Sequence, residues 1–329
     1  MSFRPSKFSE FIGNKEIVER LQLIVKVCKE EGSAPPHIAL FGPPGTGKTT
    51  LANIVCLEYG GTIFKTTGAS IRDQEALWLL IKDIAKVQQQ KKVGFLFIDE
   101  IHDLYKASLP ESIWLPIFEE FIFYSNLIGE VIMDARENEK YTIVENIIKL
   151  DPFTIIGATT NPEGLSKPLR DRFKFTGFME DYSQEDMEQI LAQYVSKSGF
   201  KMSKKVISDI ARRSRFNPRV GINLVDACIF RAKSKSAKVI TKPTFTEEMT
   251  AQRVDILGLT EQDRKILRIL ESYPLGIGIG RLANMMIMKA KGLTEIYEGY
   301  LEKIGLITAC PKGRMITEKG IKHLGGKNK

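Results

Sequence analysis

The chain has 329 residues, of which 43% are hydrophobic and 27% are charged, a composition typical of globular proteins. A chain of this length can bury a large core, so folding requires neither disulfides nor a structural metal. The four cysteines lie far apart and there are only three histidines, which argues against a zinc site and favours reduced thiols. The sequence shows no secretory or membrane-spanning pattern, so we expect a cytoplasmic protein without membrane contact.

The net charge of +8 is unevenly distributed along the chain. Residues 1–178 carry 21 Lys and Arg against 23 Asp and Glu. Residues 179–254 carry 14 against 9, and residues 255–329 carry 13 against 8. The positive excess therefore lies wholly in the second half. This asymmetry favours a first half that performs chemistry and a second half that contacts a polyanion such as DNA.

The first half alternates short apolar runs with helical patterns. The apolar runs predict buried strands at residues 37–41, 62–65, 93–98 and 153–156. Apolar residues at helical spacing predict helices at residues 15–30, 49–59 and 74–89. Strands that alternate with helices indicate an α/β fold with a parallel sheet covered on both faces. We assign residues 1–178 to this large domain.

The second half is mainly helical. Ser183 is a plausible N-cap, and further helices are predicted at residues 206–213 and 219–234 without a convincing strand between them. Residues 179–254 are therefore predicted to form a small helical domain. Residues 255–329 are predicted to form a winged-helix domain, because three helices precede two short strands around a turn. The three helices are predicted at residues 261–271, 281–289 and 294–304.

A phosphate-binding loop is the strongest local motif. Residues 42–49 read GPPGTGKT and match the P-loop pattern between a predicted strand and a predicted helix. Glycines at these positions let backbone N–H groups surround phosphate oxygens, Lys48 supplies positive charge, and the Thr49 hydroxyl offers a Mg²⁺ ligand. The predicted ATP contacts in this segment are Gly42, Gly45, Gly47, Lys48, Thr49 and Thr50.

Two adjacent carboxylates follow an apolar strand. Asp99 and Glu100 lie at the strand's carboxyl end, which is the edge where open α/β sheets bind ligands. We predict that Asp99 holds Mg²⁺ through water and that Glu100 orients the attacking water. Phosphoryl transfer also needs a cation near the γ-phosphate. Arg170, Arg172 and Arg219 are candidates, although residue patterns alone equally fit surface salt bridges.

Together these motifs resemble the AAA+ ATPases and, over nearly the whole chain, the RuvB family of Holliday junction branch migration motors. The P-loop and the Asp-Glu pair are shared by AAA+ proteins in general. The stretches that resemble RuvB more specifically are Ile156–Thr160, the segment Arg170–Phe173 and the winged-helix tail.

The resemblance implies roles for residues outside the P-loop. Phe3 and Arg4 are expected to pack on the adenine, with Tyr182 near the base. Thr160 resembles sensor 1, which contacts the γ-phosphate or the lytic water.

The resemblance also implies an assembly. Arg172 resembles an arginine finger that reaches the neighbouring subunit's site, and Arg219 resembles sensor 2. A finger acting in trans implies a homo-hexamer, which uses ATP and Mg²⁺ to pull duplex DNA through its ring. The expected activity is branch migration of four-way junctions in recombination and repair.

Some segments depart from the family pattern. Residues 121–150, where the family docks its junction-binding partner RuvA, are rewritten; the resemblance implies a RuvA-like partner at this segment. Asn161 and Ala309 stand where the family usually has arginine. In the predicted wing, Lys312 and Arg314 are expected to contact DNA phosphates, with Arg281 as a weaker candidate.

Two other functions stay open at this point. One is a clamp-loader or initiator-like ATPase switch, which binds DNA and resets on hydrolysis without translocating. The other is a protein-remodelling ATPase whose winged helix docks on proteins. Processive DNA-stimulated turnover would favour the motor, whereas slow single hydrolysis on DNA would favour the switch.

Overall fold

The computed structural model describes residues 4–106, 109–124, 142–144 and 147–325. The chain divides into two compact units, Met1–Asp186 and Met187–Lys329. Within the described ranges, no helix is both long and apolar enough to cross a membrane.

The first unit is built on a five-stranded parallel sheet. Its strands are β1 (Ile38–Phe41), β2 (Thr62–Thr67), β3 (Gly94–Asp99), β7 (Thr154–Thr159) and β8 (Phe175–Phe178), in the order β2-β3-β7-β1-β8. The predicted parallel sheet is thus confirmed. Strand β8 was not predicted, because its four residues include a glycine and a threonine and give no continuous apolar run.

Helices cover both faces of this sheet. They are α1 (Lys15–Glu31), α2 (Lys48–Tyr59), α3 (Gln74–Gln89), α4 (Glu111–Glu119) and α5 (Lys167–Asp171). Alternate residues of β1 enter different apolar clusters, since Ala39 and Phe41 belong to one and Ile38 and Leu40 to the other. A strand buried on both sides is typical of a parallel sheet between two helical layers.

A small antiparallel sheet follows α4. It consists of β4 (Ile122–Tyr124), β5 (Thr142–Val144) and β6 (Ile147–Lys149), with β6 in the middle. Phe123 anchors it, because its buried ring stacks on Trp78 with centroids 6.2 Å apart. The rest of the predicted partner-docking segment, residues 125–141 and 145–146, lies outside the described residues.

The second unit is mainly helical. Helix α6 (Gln184–Lys197) spans the boundary between the units, and the next helices are α7 (Lys204–Arg213), α8 (Pro218–Ser234) and α9 (Lys242–Ala251). Two short parallel strands, β9 (Lys201–Met202) and β10 (Val239–Ile240), were not predicted. Two-residue strands are below the length at which alternation can be detected.

The winged-helix elements complete the second unit. They are α10 (Glu261–Glu271), α11 (Ile279–Met285), α12 (Ala290–Leu293), a π-helical turn (Thr294–Glu298), α13 (Gly299–Lys303), β11 (Ile307–Cys310), β12 (Gly313–Ile316) and α14 (Glu318–His323). The predicted order of helices and hairpin is present, although the second and third helices begin earlier than expected. The boundaries at residues 178 and 254 stay a prediction.

A buried ion pair joins the helical part of the second unit to its winged helix. Arg215 Nη2 lies 2.5 Å from Oδ2 of Asp263, whose side chain is fully buried. The same oxygen accepts hydrogen bonds from Thr260 N and Oγ1, which caps α10. Arg215 Nε also donates to the Gly258 carbonyl at 2.9 Å. These contacts fix the start of α10 against the helical part.

Candidate functional site

The P-loop connects β1 to α2 and requires glycine at its tight positions. Gly42 has φ +141°, and a Cβ placed there would lie 2.3 Å from the Met179 carbonyl oxygen. Gly47 has φ +94°, in the left-handed region that favours glycine. The loop thus turns sharply into the N-terminus of α2, where backbone N–H groups and the helix dipole favour phosphate.

Lys48 is held inside the loop. Its Nζ donates to the carbonyls of Gly42 and Pro43 at 2.7 and 2.8 Å, and the residue is only 7% exposed. Burial lowers the pKa of Lys48, while the nearby carboxylates of Glu100 and Asp99 act in the opposite direction. The ammonium is therefore already positioned within the loop, where a phosphate oxygen would be an additional acceptor.

Tyr182 packs against the P-loop. Its hydroxyl donates to the Thr46 carbonyl at 2.8 Å, and burial raises the pKa of this phenol. A Cβ on Gly47 would lie 2.8 Å from Tyr182 Oη and 2.9 Å from Phe11 Cζ. Tyr182 therefore packs directly against the P-loop. Its expected position near the base stays a prediction. Of the other expected adenine contacts, Arg4 is exposed and Phe3 lies outside the described residues.

Glu100 and Thr160 meet at the carboxyl edge of the sheet. Because β3 and β7 are adjacent and parallel, the residues after them lie side by side. Glu100 Oε2 accepts from Thr160 N at 3.2 Å and from Thr160 Oγ1 at 3.3 Å. Glu100 has φ +44°, so the chain turns sharply directly after the strand. The predicted water-activating carboxylate and the predicted sensor are thus in direct contact.

Two residues that the sequence analysis did not assign complete this network. Thr159 Oγ1 lies 2.7 Å from His102 Nδ1 and accepts from Asn161 N at 2.9 Å. His102 Nδ1 in turn lies 3.2 Å from Glu100 Oε2. The only sequence pattern that indicated this network was the threonine pair Thr159 and Thr160 after a predicted buried strand. Its partner His102 becomes apparent only when the strands are paired.

The oxygen atoms expected to hold Mg²⁺ come from different elements. Asp99 ends β3, and its Oδ1 accepts from Glu100 N at 3.2 Å. Thr49 lies in the first turn of α2. One carboxylate and one hydroxyl suit Mg²⁺, which usually completes its shell with water and substrate phosphates.

The candidate arginines lie in different units. Arg172 follows α5, and its Nη2 lies 2.5 Å from Glu119 Oε1 at the end of α4, with 31% of its side chain exposed. Arg219 lies in the second unit, near the start of α8, where its N–H donates to the Asn217 side chain at 2.9 Å. The Arg219 side chain is exposed.

The wing distinguishes its two predicted DNA contacts. Lys312 is exposed in the turn between β11 and β12. Arg314 instead forms an ion pair with Glu298, a residue that is 7% exposed, and this hydrogen bond raises the pKa of Arg314. Arg281, the weaker candidate, places its guanidinium 5.1 Å from the Tyr273 ring centroid.

Comparisons with known proteins agree over the whole chain. A family model described as the P-loop domain of the Holliday junction DNA helicase RuvB matches residues 3–179, and a RuvB C-terminal winged-helix model matches residues 256–325. The RuvB subunit of the Holliday junction branch migration complex from Lactobacillus johnsonii is 34% identical, with 99% of this chain and 91% of that protein covered. The Mycobacterium avium subunit is 32% identical, with 99% and 88% covered. The solved structure of the Thermotoga maritima RuvB branch migration motor is 31% identical, covers 99% of each chain and has a TM-score of 0.79.

Proposed function

The chain belongs to the RuvB family of Holliday junction branch migration motors, and we propose that its ATP sites are completed by Arg172 of a neighbouring subunit in a hexameric ring. It is a nucleotide-binding P-loop ATPase whose family role is branch migration in recombination and repair. A protein that acts on DNA junctions belongs where that DNA is, so a cytoplasmic location is part of this proposal.

The observation that supports ATP hydrolysis at this site is the contact between Glu100 and Thr160, with the Glu100 carboxylate near Lys48 of the P-loop. Glu100 orients the water that attacks the γ-phosphate or accepts a proton from it. Lys48 stabilises the charge that develops on the phosphate. Thr160 holds the Glu100 carboxylate until a phosphate competes for the threonine hydroxyl. Asp99 and Thr49 would hold Mg²⁺, which would supply positive charge beside the phosphates.

In this proposal Arg172 does not bind the phosphate at the P-loop of its own subunit. Its partial exposure after α5 leaves the guanidinium able to reach a partner. Cationic help from a neighbouring chain is a recurrent device in P-loop hydrolysis and contributes about 10³-fold or more to the rate. Hydrolysis would then occur only between subunits, so ring assembly and catalysis would be coupled.

DNA contact is assigned to the second unit. The positive excess of the sequence lies there, and Lys312 is exposed at the wing tip. We assign duplex DNA as its partner, with backbone contacts that do not read sequence. Residues 121–150 are the proposed docking segment for a RuvA-like protein, because Phe123 anchors a sheet there while Tyr124 is 43% exposed.

Mixing two inactive variants tests the shared site. Lys48→Ala subunits keep a finger but lose the phosphate-binding amine, whereas Arg172→Ala subunits keep the amine but lose the finger. Neither variant alone should hydrolyse ATP at an appreciable rate. At equal mixing, about a quarter of ring interfaces pair an intact P-loop with an intact finger. We therefore expect DNA-stimulated hydrolysis to reappear in the mixture.

The matched control replaces Lys48→Ala with the double variant Lys48→Ala, Arg172→Ala. That mixture contains no finger and should stay inactive. A first mixture that is as inactive as its components would contradict the shared site. A wild-type protein that binds DNA and hydrolyses ATP in a single slow event would instead indicate the ATPase switch.

A further inference from the structure

The contact between Arg172 and Glu119 is not used by the proposed hydrolysis mechanism. Glu119 is the last residue of α4, and its Oε1 lies 2.5 Å from Arg172 Nη2. Both side chains are partly exposed, at 44% and 31%. An exposed pair of this kind contributes little to folding, typically about 0–1 kcal/mol. The contact therefore adds little to the stability of the fold.

An aromatic contact between neighbouring residues reinforces the ion pair. The rings of Phe118 and Phe173 pack edge to face with centroids 5.2 Å apart, and both residues are buried. The ion pair and the aromatic pair thus join the same two elements, the end of α4 and the turn after α5. Two adjacent contacts restrict rotation more than one alone, so the Arg172 backbone and the Glu119 carboxylate keep a defined separation.

His37 attaches the end of α4 to the parallel sheet. Its Nε2 lies 3.0 Å from the Phe118 carbonyl oxygen, and its Nδ1 accepts from Ile155 N of β7 at 2.9 Å. Since Nδ1 accepts, Nε2 carries the proton and donates. The end of α4 is thereby fixed to the strand that leads to Thr160, which places Glu119 on a rigid support.

The guanidinium keeps donors for a further acceptor. Arg172 Nε is buried and has no hydrogen-bond partner among the described residues, while Nη2 is held by Glu119. Because 31% of the side chain is exposed, the guanidinium also stays accessible to an anion. One edge of the group is tethered and the remaining donors face no carboxylate in the described part of the chain.

We propose that Glu119 is a positioning residue that orients the Arg172 guanidinium toward the γ-phosphate bound by the neighbouring subunit. This inference rests on the proposed finger role of Arg172. Arginine has several flexible torsions, and a guanidinium held on one edge loses less entropy when the transition state forms. Glu119 therefore acts through Arg172 and does not contact the phosphate itself.

The first test compares Glu119→Ala with Glu120→Ala in the full chain. Glu120 is the next residue, is also exposed and makes a matched control. We expect Glu119→Ala to lower kcat about tenfold with an unchanged KM for ATP, since the finger acts in the transition state. Glu120→Ala should keep the wild-type kcat, and the Tm should not differ among the three proteins. Equal kcat values for the two variants would overturn the proposal.

A mixing experiment separates positioning of the finger from an effect on the variant's own ATP site. Glu119→Ala is added either to the Lys48→Ala subunit, which donates the finger, or to the Arg172→Ala subunit, which binds ATP. The recovered hydrolysis should fall about tenfold in the first mixture and stay unchanged in the second. A fall in the second mixture instead would overturn the proposal, because Glu119 would then act within its own subunit's site.

Failure of the proposed function gives a different result. If Arg172→Ala alone kept the wild-type kcat, the finger assignment and this inference would both be wrong. If Arg172→Ala were inactive but mixing restored nothing, the shared site would be wrong, and the double variant Glu119→Ala, Arg172→Ala would then test whether Glu119 acts through Arg172 within one subunit. Residual hydrolysis equal to that of Arg172→Ala supports Glu119 acting through Arg172, and a further tenfold loss contradicts it.

Discussion

Thr160 and Glu100 interact through a hydroxyl that a single substitution removes. In Thr160→Val the side chain keeps its shape, but the hydrogen bond from Oγ1 to the Glu100 carboxylate is lost. We expect kcat to fall about tenfold to a hundredfold, because in the proposed mechanism the hydroxyl orients the Glu100 carboxylate that activates water. Nucleotide affinity should be retained, since Lys48 and the P-loop are untouched. ATP turnover and equilibrium binding of a fluorescent nucleotide measure the two effects.

The matched control for this substitution is Thr308→Val, at an exposed position of β11 in the other unit. It should change neither quantity. An unchanged turnover in Thr160→Val, or a loss of nucleotide affinity as large as the loss of turnover, would contradict the sensor role.

His37 links the stability of the first unit to pH. Burial lowers the pKa of His37 from 6.5 to about 4, while its hydrogen bond to the Phe118 carbonyl acts in the opposite direction. The unfolded chain therefore binds more protons than the folded one between these values. The stability that neutral His37 contributes is fully present above pH 6.5 and is lost as the pH falls toward 4. The total decrease in the free energy of unfolding is ~3 kcal/mol.

Chemical unfolding between pH 7.5 and 4.5 measures this linkage. The wild-type free energy of unfolding should fall more steeply over this range than that of His37→Gln, which has no titrating ring. The variant should be less stable at neutral pH, because the bonds to Phe118 and Ile155 are disturbed. Parallel pH dependences in the two proteins would show that His37 does not carry the effect.

The residues of the P-loop were predictable because their requirement is local. Gly42 and Gly47 need a backbone conformation that favours glycine, and Lys48 follows them at fixed spacing, so the pattern appears in the sequence itself. The contacts of Glu100 with Thr160 and of Arg172 with Glu119 span many residues. They depend on which strands are neighbours and where α4 ends, and no short pattern encodes either.

At the scale of elements, the two basic residues of the wing differ in their contacts within the fold. Lys312 is exposed in the turn after β11, whereas Arg314 is paired with the buried Glu298. We expect Lys312→Ala to weaken duplex binding and to reduce the slope of log affinity against log salt by about one. Arg314→Ala should leave that slope unchanged and lower the Tm, because Glu298 would stay buried without its partner. Salt titrations and thermal unfolding of both variants decide; an unchanged salt slope in Lys312→Ala would exclude the wing tip as a phosphate contact.

The ion pair at the start of α10 makes a second prediction about elements. Asp263 is fully buried, so Arg215→Ala leaves a buried carboxylate without its cation and should cost about 3 kcal/mol of stability. Lys291→Ala removes an exposed cation that lies 3.6 Å from Glu295 and serves as the control. Chemical unfolding of the second unit should show a loss only for Arg215→Ala. Equal stability of the two variants would contradict a joining role for this pair.

The periodicity of the sequence predicted long elements and missed short or mixed ones. Helices α3 and α10 lie at the predicted residues, because apolar side chains recur at helical spacing over several turns. Helix α9 was missed, since proline and several threonines at its start weaken that pattern. Strand β8 was missed because its pairing with β1, and not its composition, defines it.

At the scale of the whole molecule, charge and chemistry are divided along the chain. The P-loop, the carboxylates and Thr160 lie in the first unit, and the positive excess lies in the second half of the sequence. A motor needs both, since hydrolysis must be coupled to a surface that holds duplex DNA. Composition alone indicated this division, but it carried no information on the proposed completion of an ATP site by a neighbouring subunit.

Members of the RuvB family drive branch migration of Holliday junctions, and we expect this chain to use ATP hydrolysis to move a four-way DNA junction. The direct measurement follows strand separation of a fluorophore-labelled synthetic junction with ATP and Mg²⁺, with and without a RuvA-type protein. Wild-type protein should separate the junction into its product duplexes, whereas Lys48→Ala should bind the junction and leave it intact. A wild-type protein that binds the junction and hydrolyses ATP but never moves the branch point, under either condition, would contradict the account.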